Sequence, residues 1–159
     1  MTELSDQRRY AEEAAVVLSG MGLSPAYGKL LGWLLICDPP QQTSGQLGEA
    51  LGLSKGSVST GMRMLESSGF VRRVAAPGQR GHAYEIVPDA IIRTVAEPTK
   101  FRMFRELMDR GLALIGDPDA PEAARLRITR DFYAYIEHEM PRLVERFKAE
   151  HLRKGDHDG

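Results

Sequence analysis

The chain has 159 residues, a hydrophobic fraction of 42%, a charged fraction of 27% and a formal net charge of −1. This length corresponds to about one domain with a real core, and this composition excludes disordered and fibrous classes of protein. The overall charge gives no sign of a polyanionic partner, but residues 54–82 carry five Lys or Arg against one Glu, so this segment is basic.

The first predicted element is a helix that ends near Gly20. Its apolar residues recur at spacings of three and four between Ala11 and Met21. The start of the chain, MTELSDQRRYAEEAAVVL, contains acidic side chains and no apolar segment after a basic start, so we expect no signal peptide. We assign residues 1–22 to an N-terminal helix that contributes to dimerisation.

A second predicted helix is apolar nearly all round and is therefore expected to be central. Ser24 is suited to its N-cap, Pro25 to its first position, and Pro39 forbids its continuation. It contains the longest apolar run of the chain, LLGWLLIC at 30–37, which is too short to cross a membrane.

Cys37, at the end of this run, is the only cysteine of the chain. A single cysteine excludes an internal disulfide and is typical of a reducing cytoplasm. The thiol is either a redox sensor or a filler of the core, and its apolar neighbours favour the filler. We expect a cytoplasmic protein without a membrane segment.

Residues 43–87 predict a helix-turn-helix followed by a β-hairpin. Thr43 or Ser44 caps a short helix, GQLGEAL, and Ser54 caps the next one. The segments FVRRVAA and HAYEIV then read as two strands, and the loop between them contains the turn signal PGQRG.

The helix that begins at Ser54 is made of small polar residues, which are poor helix formers. Val58, Met62 and Leu65 recur at i, i+4 and i+7 and form its buried stripe. The opposite face carries short side chains and one cation, from Gly56, Ser59, Thr60, Arg63 and Ser67. Such a face fits a DNA major groove, because hydroxyls and a guanidinium reach base edges and phosphates once the helix lies close. The alternative is a capped, solvated surface helix.

Cations flank this helix at its N-terminus and in the hairpin. Lys55 lies beside the N–H groups of the helix start, where a phosphate can dock. Arg80 at the loop tip suits a narrow minor groove, whose negative potential attracts arginine, and Arg72 and Arg73 on the first strand can reach flanking phosphates. The predicted DNA-binding residues are Ser54, Lys55, Gly56, Ser57, Ser59, Thr60, Arg63, Arg72, Arg73, Gln79 and Arg80.

Beyond Pro88 the sequence predicts helices to its end, with a break at Pro98 and a bend at Pro141. Two apolar rows recur at spacings of three and four: Phe101, Phe104, Met108, Leu112 and Ile115, and Phe132, Ile136, Met140, Leu143 and Phe147. Because the central helices are committed to the helix-turn-helix core, we expect a second copy to cover these rows in a homodimer. The alternative is that the terminal helices fold back on their own domain. We assign 89–152 to dimerisation and 153–159 to a disordered tail.

The run LGWLLICDPPQQTSGQLGEALGLSKGSVSTGMRMLESSGFVRRVAAPGQRGHAYEI resembles the winged helix-turn-helix of the MarR superfamily, and especially its GbsR-type branch. The motifs that carry the resemblance are the helix ending in CDPP, the LSKGSVS helix with its following strand, and PGQRG before a tyrosine. The match covers residues 20–90 well and the remainder by pattern only. It implies a mainly α fold with a small β-hairpin wing, a DNA-binding domain at 23–88 and dimerising terminal helices.

The resemblance also implies a function. Members of this family are bacterial transcriptional regulators, usually homodimeric repressors that a small molecule releases from an inverted-repeat operator. Lys55, Arg63 and their neighbours occupy the recognition-helix positions, and Arg80 the wing tip. Family ligands tend to bind between the winged domain and the dimerising helices, where aromatic side chains are candidates for the lining: Tyr27, Trp33, Phe101 and Phe104. Core packing is the alternative for Trp33.

Other chemistries find little support in the sequence. The four histidines and Cys37 show no metal-ligand spacing, and no nucleophile elbow, P-loop or GxGxxG is present. We therefore expect no enzyme activity, no cofactor and no metal. The competing function is a winged-helix module for protein contacts, which would respond only mildly to salt, whereas DNA binding weakens steeply.

Overall fold

A computed structural model describes residues 3–20, 22–76, 78 and 80–152. Gln79 and the predicted tail at 153–159 lie outside these residues. The chain divides into two units, one up to Ile91 and one from Ile92. The elements in chain order are α1 (Leu4–Ser19), α2 (Pro25–Ile36), α3 (Ser44–Leu51), α4 (Lys55–Ser67), β1 (Val71–Ala75), β2 (His82–Ile86), α5 (Ala90–Ala96), α6 (Pro98–Ile115) and α7 (Pro121–Phe147), which a π-helical turn (Lys148–Leu152) extends. The mainly helical class with a small β-hairpin is confirmed.

The caps of the first unit are those that the sequence predicts. Ser24 and Ser54 each accept a hydrogen bond from the backbone N–H three residues further on. Thr43, and not Ser44, caps α3, in a capping box with Gln46. These short-range contacts fix where α2, α3 and α4 begin.

The core of the first unit lies between α2, α3, α4 and the hairpin. Its largest fully buried side chains are Leu30, Leu31, Leu47, Val58, Met62 and Leu65. The predicted stripe of α4 is therefore the buried one. Gly61 lies directly against the tip of the Leu30 side chain, so a Cβ at this position would force that side chain of α2 to move. The glycine lets the two helices pack closely, and this packing holds α4 with its polar face outward.

α1 packs against α2 through small residues. Ala15 is buried, and a Cβ added at Gly28 would lie 2.7 Å from its Cα. On the outer side of α1, Val16 and Val17 are exposed by 73% and 69% beside the exposed charges of Arg9, Glu12 and Glu13. α1 thus packs on its own unit with one face and leaves the face with these two valines open.

The hairpin, which we call the wing together with its loop, is antiparallel, with Arg73 opposite Tyr84. Gln42 adds a bridge to Tyr84, with backbone hydrogen bonds of 2.9 Å and 2.8 Å. The Gln42 side chain is buried, accepts from Trp33 Nε1 at 3.3 Å and donates to the Pro39 carbonyl at 2.8 Å. The segment between α2 and α3 therefore ties the wing to the core.

The second unit contains the helical pair α6 and α7. Phe104 stacks on Tyr133 with ring centroids 4.8 Å apart, and Gly111 gives room to Leu126. The predicted break at Pro98 is found, since α5 ends before it, and α7 continues through Pro141. None of the residues of α6, all of which are described, is buried.

Alternating charges connect α6 to α7. The Glu137 carboxylate accepts from Arg105 Nε at 2.6 Å and from Arg102 Nε at 3.3 Å. Asp109 pairs with Arg105 at 3.1 Å and with Arg130 at 2.9 Å. The hydrogen bond from Arg105 holds the pKa of Glu137 below its ordinary value. These pairs fix the register of the two helices.

Within the described parts of both units, no helix has the length and apolarity that crossing a membrane requires.

Candidate nucleic-acid interface

The predicted residues of α4 lie at its start and along its outer side. Because Val58, Met62 and Leu65 face the core, the opposite side is left to solvent. We call it the α4 face, and its residues are all exposed except the half-buried Ser57: Ser54, Lys55, Gly56, Ser57, Ser59, Thr60 and Arg63. The structure thus brings the predicted small polar residues onto one accessible surface.

Ser54 and Ser57 form a hydrogen-bonded cap at the N-terminus of α4. Ser54 Oγ accepts from the Ser57 N–H at 3.1 Å and donates to Ser57 Oγ at 3.0 Å. These two hydroxyls are thus engaged in capping, which orders the first turn and its outward N–H groups. In the described chain the hydroxyls of Ser59 and Thr60 have no such partner. Ser59, Thr60 and Arg63 are therefore exposed hydrogen-bond donors whose side chains have no partner in the described chain.

Three exposed cations carry the positive charge of the surface. Lys55 and Arg63 stand on the α4 face and Arg80 on the loop of the wing. No carboxylate among the described residues pairs with any of the three. Gly78 and Gly81 adopt φ of +67° and +104°, backbone that other residues rarely adopt, so the bend that presents Arg80 depends on glycine. Gln79 was predicted beside Arg80 but is outside the described part of the chain.

Arg72 and Arg73 already have carboxylate partners. Arg72 Nη2 lies 2.7 Å from Glu85 Oε1, and Arg73 Nε lies 3.0 Å from Glu66 Oε1. A hydrogen bond from Gln41, and after it the one from Arg72, lower the pKa of Glu85. A contact of either arginine with a phosphate, as the sequence predicts, would have to compete with its carboxylate.

Sequence reasoning missed Glu66 and Glu85 as partners of the hairpin arginines. Glu66 was noticed only as the single acidic residue of a basic segment. The observed register places Arg72 opposite Glu85, and a hairpin centred on the four residues PGQR, not on PGQRG, was the signal that would have given it. The pairing of Glu66 with Arg73 joins a helix to a strand, and no local pattern marks it.

The four aromatic residues predicted to line an effector site lie in separate units. Tyr27 and Trp33 are 2% and 5% exposed in the core of the first unit. Phe101 is half-buried and Phe104 is exposed, both on α6. For Trp33 the observed environment is core packing, with its indole N–H satisfied by Gln42. The effector site itself stays a prediction.

Cys37 is half-buried and packs against the core of the first unit. Burial raises the pKa of its thiol to about 11, and Sγ lies 3.8 Å from the Leu34 carbonyl oxygen and 3.7 Å from that of Pro40. At neutral pH the thiol is therefore protonated, which disfavours redox sensing through a thiolate. Among the described residues, no three His, Cys, Asp or Glu are grouped so that they could hold a metal ion.

Comparison with known proteins gives consistent matches. Residues 21–80 match a model described as the MarR family, and residues 89–150 match one described as an MmpR5-like MarR family transcriptional regulator. The chain is 35% identical over 156 residues to the HTH-type transcriptional regulator MmpR5 of Mycobacterium tuberculosis, with 96% of this chain and 92% of that protein covered. A crystal structure of a transcriptional regulator aligns with a TM-score of 0.77 at 34% identity, covering 91% of this chain and 99% of that chain.

Proposed function

Because the chain belongs to the MarR family of transcriptional regulators, we propose that it binds double-stranded DNA sequence-specifically through the α4 face and the wing. The observation that carries this proposal is the α4 face itself. Its side chains are short and exposed, and its cations, with Arg80 on the wing, have no carboxylate partner in the described chain. Exposed cations without a carboxylate partner attract a polyanion such as DNA.

The three exposed cations contact different parts of the DNA in this proposal. Arg63 stands among side chains too short to compete with it, so it enters the major groove and contacts a base edge or the phosphate beside it. Lys55 and the N–H groups of the first turn hold a phosphate. Arg80 enters the adjacent minor groove and responds to its width.

We further propose that the protein acts as a homodimer. A pair of helices cannot enclose a core, and α6 and α7 leave large apolar side chains exposed: Met103, Phe104, Leu107, Leu114, Ile128, Phe132, Tyr135, Leu143 and Phe147. The open face of α1 adds Val16 and Val17. Exposed apolar area of this extent is typical of an interface, and a second copy of the same helices would cover it.

The regulatory part of the proposal rests on the family resemblance. We propose a repressor that a small-molecule effector releases from an inverted-repeat operator. The branch of the family also stays a prediction: the quoted motifs resemble GbsR-type members, whereas the second half matches the MmpR5-like model.

The proposed DNA binding is tested by recovering bound genomic fragments and titrating one of them at several salt concentrations. Three cations per copy, hence six per dimer, predict a slope of log K against log salt of about −5. Failure to recover a specific fragment, or a salt response near zero, would favour a winged-helix module for protein contacts.

A further inference from the structure

The wing is joined to α4 by an ion pair between Arg73 and Glu66. Arg73 lies in β1, and Glu66 lies in the last turn of α4. The Arg73 Nε is 3.0 Å and 3.1 Å from the two oxygens of the Glu66 carboxylate. Since α4 and the wing are the two elements that would read DNA, this contact joins one reading element to the other.

An aromatic ring holds the same guanidinium on a second side. Arg73 is opposite Tyr84 in the hairpin, and its Cζ lies 5.9 Å from the ring centroid, within cation–π range. Tyr84 is 6% exposed, its backbone is paired with Gln42, and its hydroxyl lies 3.1 Å from His82 Nε2. The ring is therefore a fixed support, and the Arg73 side chain is engaged by both a carboxylate and a ring.

We propose that Arg73 is a positioning residue, which fixes the angle between the wing and α4 through Glu66 and Tyr84 and does not bind a phosphate. This inference rests on the proposed function, because it requires both elements to contact DNA. A phosphate that drew the guanidinium of Arg73 away from Glu66 would leave a carboxylate without its cation beside the DNA backbone. Like charges so placed repel, so the bound state favours the intact pair. Arg63 and Arg80 differ, since neither has a carboxylate partner in the described chain.

A charge exchange distinguishes positioning from phosphate binding. Arg73→Glu and Glu66→Arg each place like charges together, so each is expected to weaken operator binding by about tenfold, and the double variant to recover to within about threefold of the unmodified protein. Glu66→Arg is the sharper single variant, because it adds a cation near DNA and yet is expected to weaken binding. In Arg73→Ala the salt slope is expected to stay unchanged, because no counterion is released by this side chain.

Phosphate binding by Arg73 predicts a different set of results. Glu66→Arg would then bind as well as or better than the unmodified protein, and Arg73→Ala would reduce the slope by about 0.9 per copy. Either result would overturn the inference.

The exchange needs a control for charge and for folding. Asp38 is an exposed carboxylate between α2 and α3, outside the α4 face, the wing and the proposed dimer helices, so Asp38→Arg makes the same charge change as Glu66→Arg and is expected to leave operator binding unchanged. Thermal unfolding of every variant is expected to stay near that of the unmodified protein, because exposed pairs contribute little stability. If the unmodified protein does not bind an operator, the proposed function is refuted. If the unmodified protein binds but the double variant does not recover, only the positioning role is refuted.

Discussion

At the scale of single residues, Arg63 and Arg80 are expected to act on different grooves. Replacing either by Ala should cost about 1–3 kcal/mol of operator binding. Arg63→Ala should relax preference at a defined half-site position if it reads a base, because its guanidinium then distinguishes base edges. Arg80→Ala should weaken binding most on operators with A·T-rich flanks, where the minor groove is narrow. Titration against matched and shuffled DNA measures both signatures.

The control for these variants is Lys29→Ala, since Lys29 is a cation of α2 outside the α4 face, the wing and the proposed dimer helices, and it pairs with Glu12 at 3.9 Å. Folding should be retained in all three, because none of these side chains is buried. Unchanged operator affinity in both Arg63→Ala and Arg80→Ala would mean that the α4 face and the wing do not read a groove.

The exposed residues of this surface could be predicted from the sequence, but the carboxylates that pair with its arginines could not. The buried stripe of α4 follows from a local periodicity, so its exposed face, including Thr60 and Arg63, could be predicted. Whether a cation is available depends on which carboxylates the fold brings near it. Glu66 and Glu85 approach Arg73 and Arg72 only once β1 and β2 have paired and packed against α4, and no spacing rule for a single helix contains that information.

At the scale of elements, the charged contacts between α6 and α7 predict a pH-dependent stability. The pKa of Glu137 is lowered in the folded state, mainly by the hydrogen bond from Arg105. A group with a depressed folded pKa stabilises the fold above its unfolded value, about 4.3 for Glu, and loses this contribution as pH falls through the folded pKa. Glu137→Gln should therefore lower the unfolding temperature at pH 7, and the difference should shrink below about pH 4.

Circular dichroism of both proteins from pH 7 to pH 3 measures this effect. Glu145→Gln is the matched control, because Glu145 is exposed on the same helix and has no ion pair in the part of the chain that the structure describes. A Glu137→Gln deficit that is constant across the pH range would show that its cause is packing and not charge.

The boundaries of most helices are set by local sequence signals. N-caps at Ser24, Thr43 and Ser54 and the break at Pro98 depend on a few neighbouring residues, so helix boundaries were predictable within a few positions. The bridge from Gln42 to the wing was not, because it joins segments about forty residues apart and its sequence reads only as an extended connection.

At the scale of the whole molecule, the two described units differ in how much apolar surface they bury by themselves. The first encloses its own core, whereas α6 has no buried residue and α7 has only Ala123. Of the two apolar rows that the sequence predicts, the row of α6 is half-buried except for Phe104, whereas Phe132, Leu143 and Phe147 of the α7 row are exposed. A monomer would leave these exposed side chains, with Met103, Leu107 and Leu114 of α6, in water, and a dimer would cover them and present two copies of α4 to one DNA duplex.

The most direct test of the account is a hydroxyl-radical footprint of the unmodified protein on a recovered operator, at base resolution. Two copies of α4 related by a two-fold axis predict two protected half-sites with centres about 10 bp apart, arranged as an inverted repeat. Each half-site should carry an additional minor-groove protection that Arg80→Ala removes and Lys29→Ala keeps. Protection of a single asymmetric site, or none at a protein concentration that saturates the fragment, would contradict a dimeric regulator that reads DNA with the α4 face and the wing.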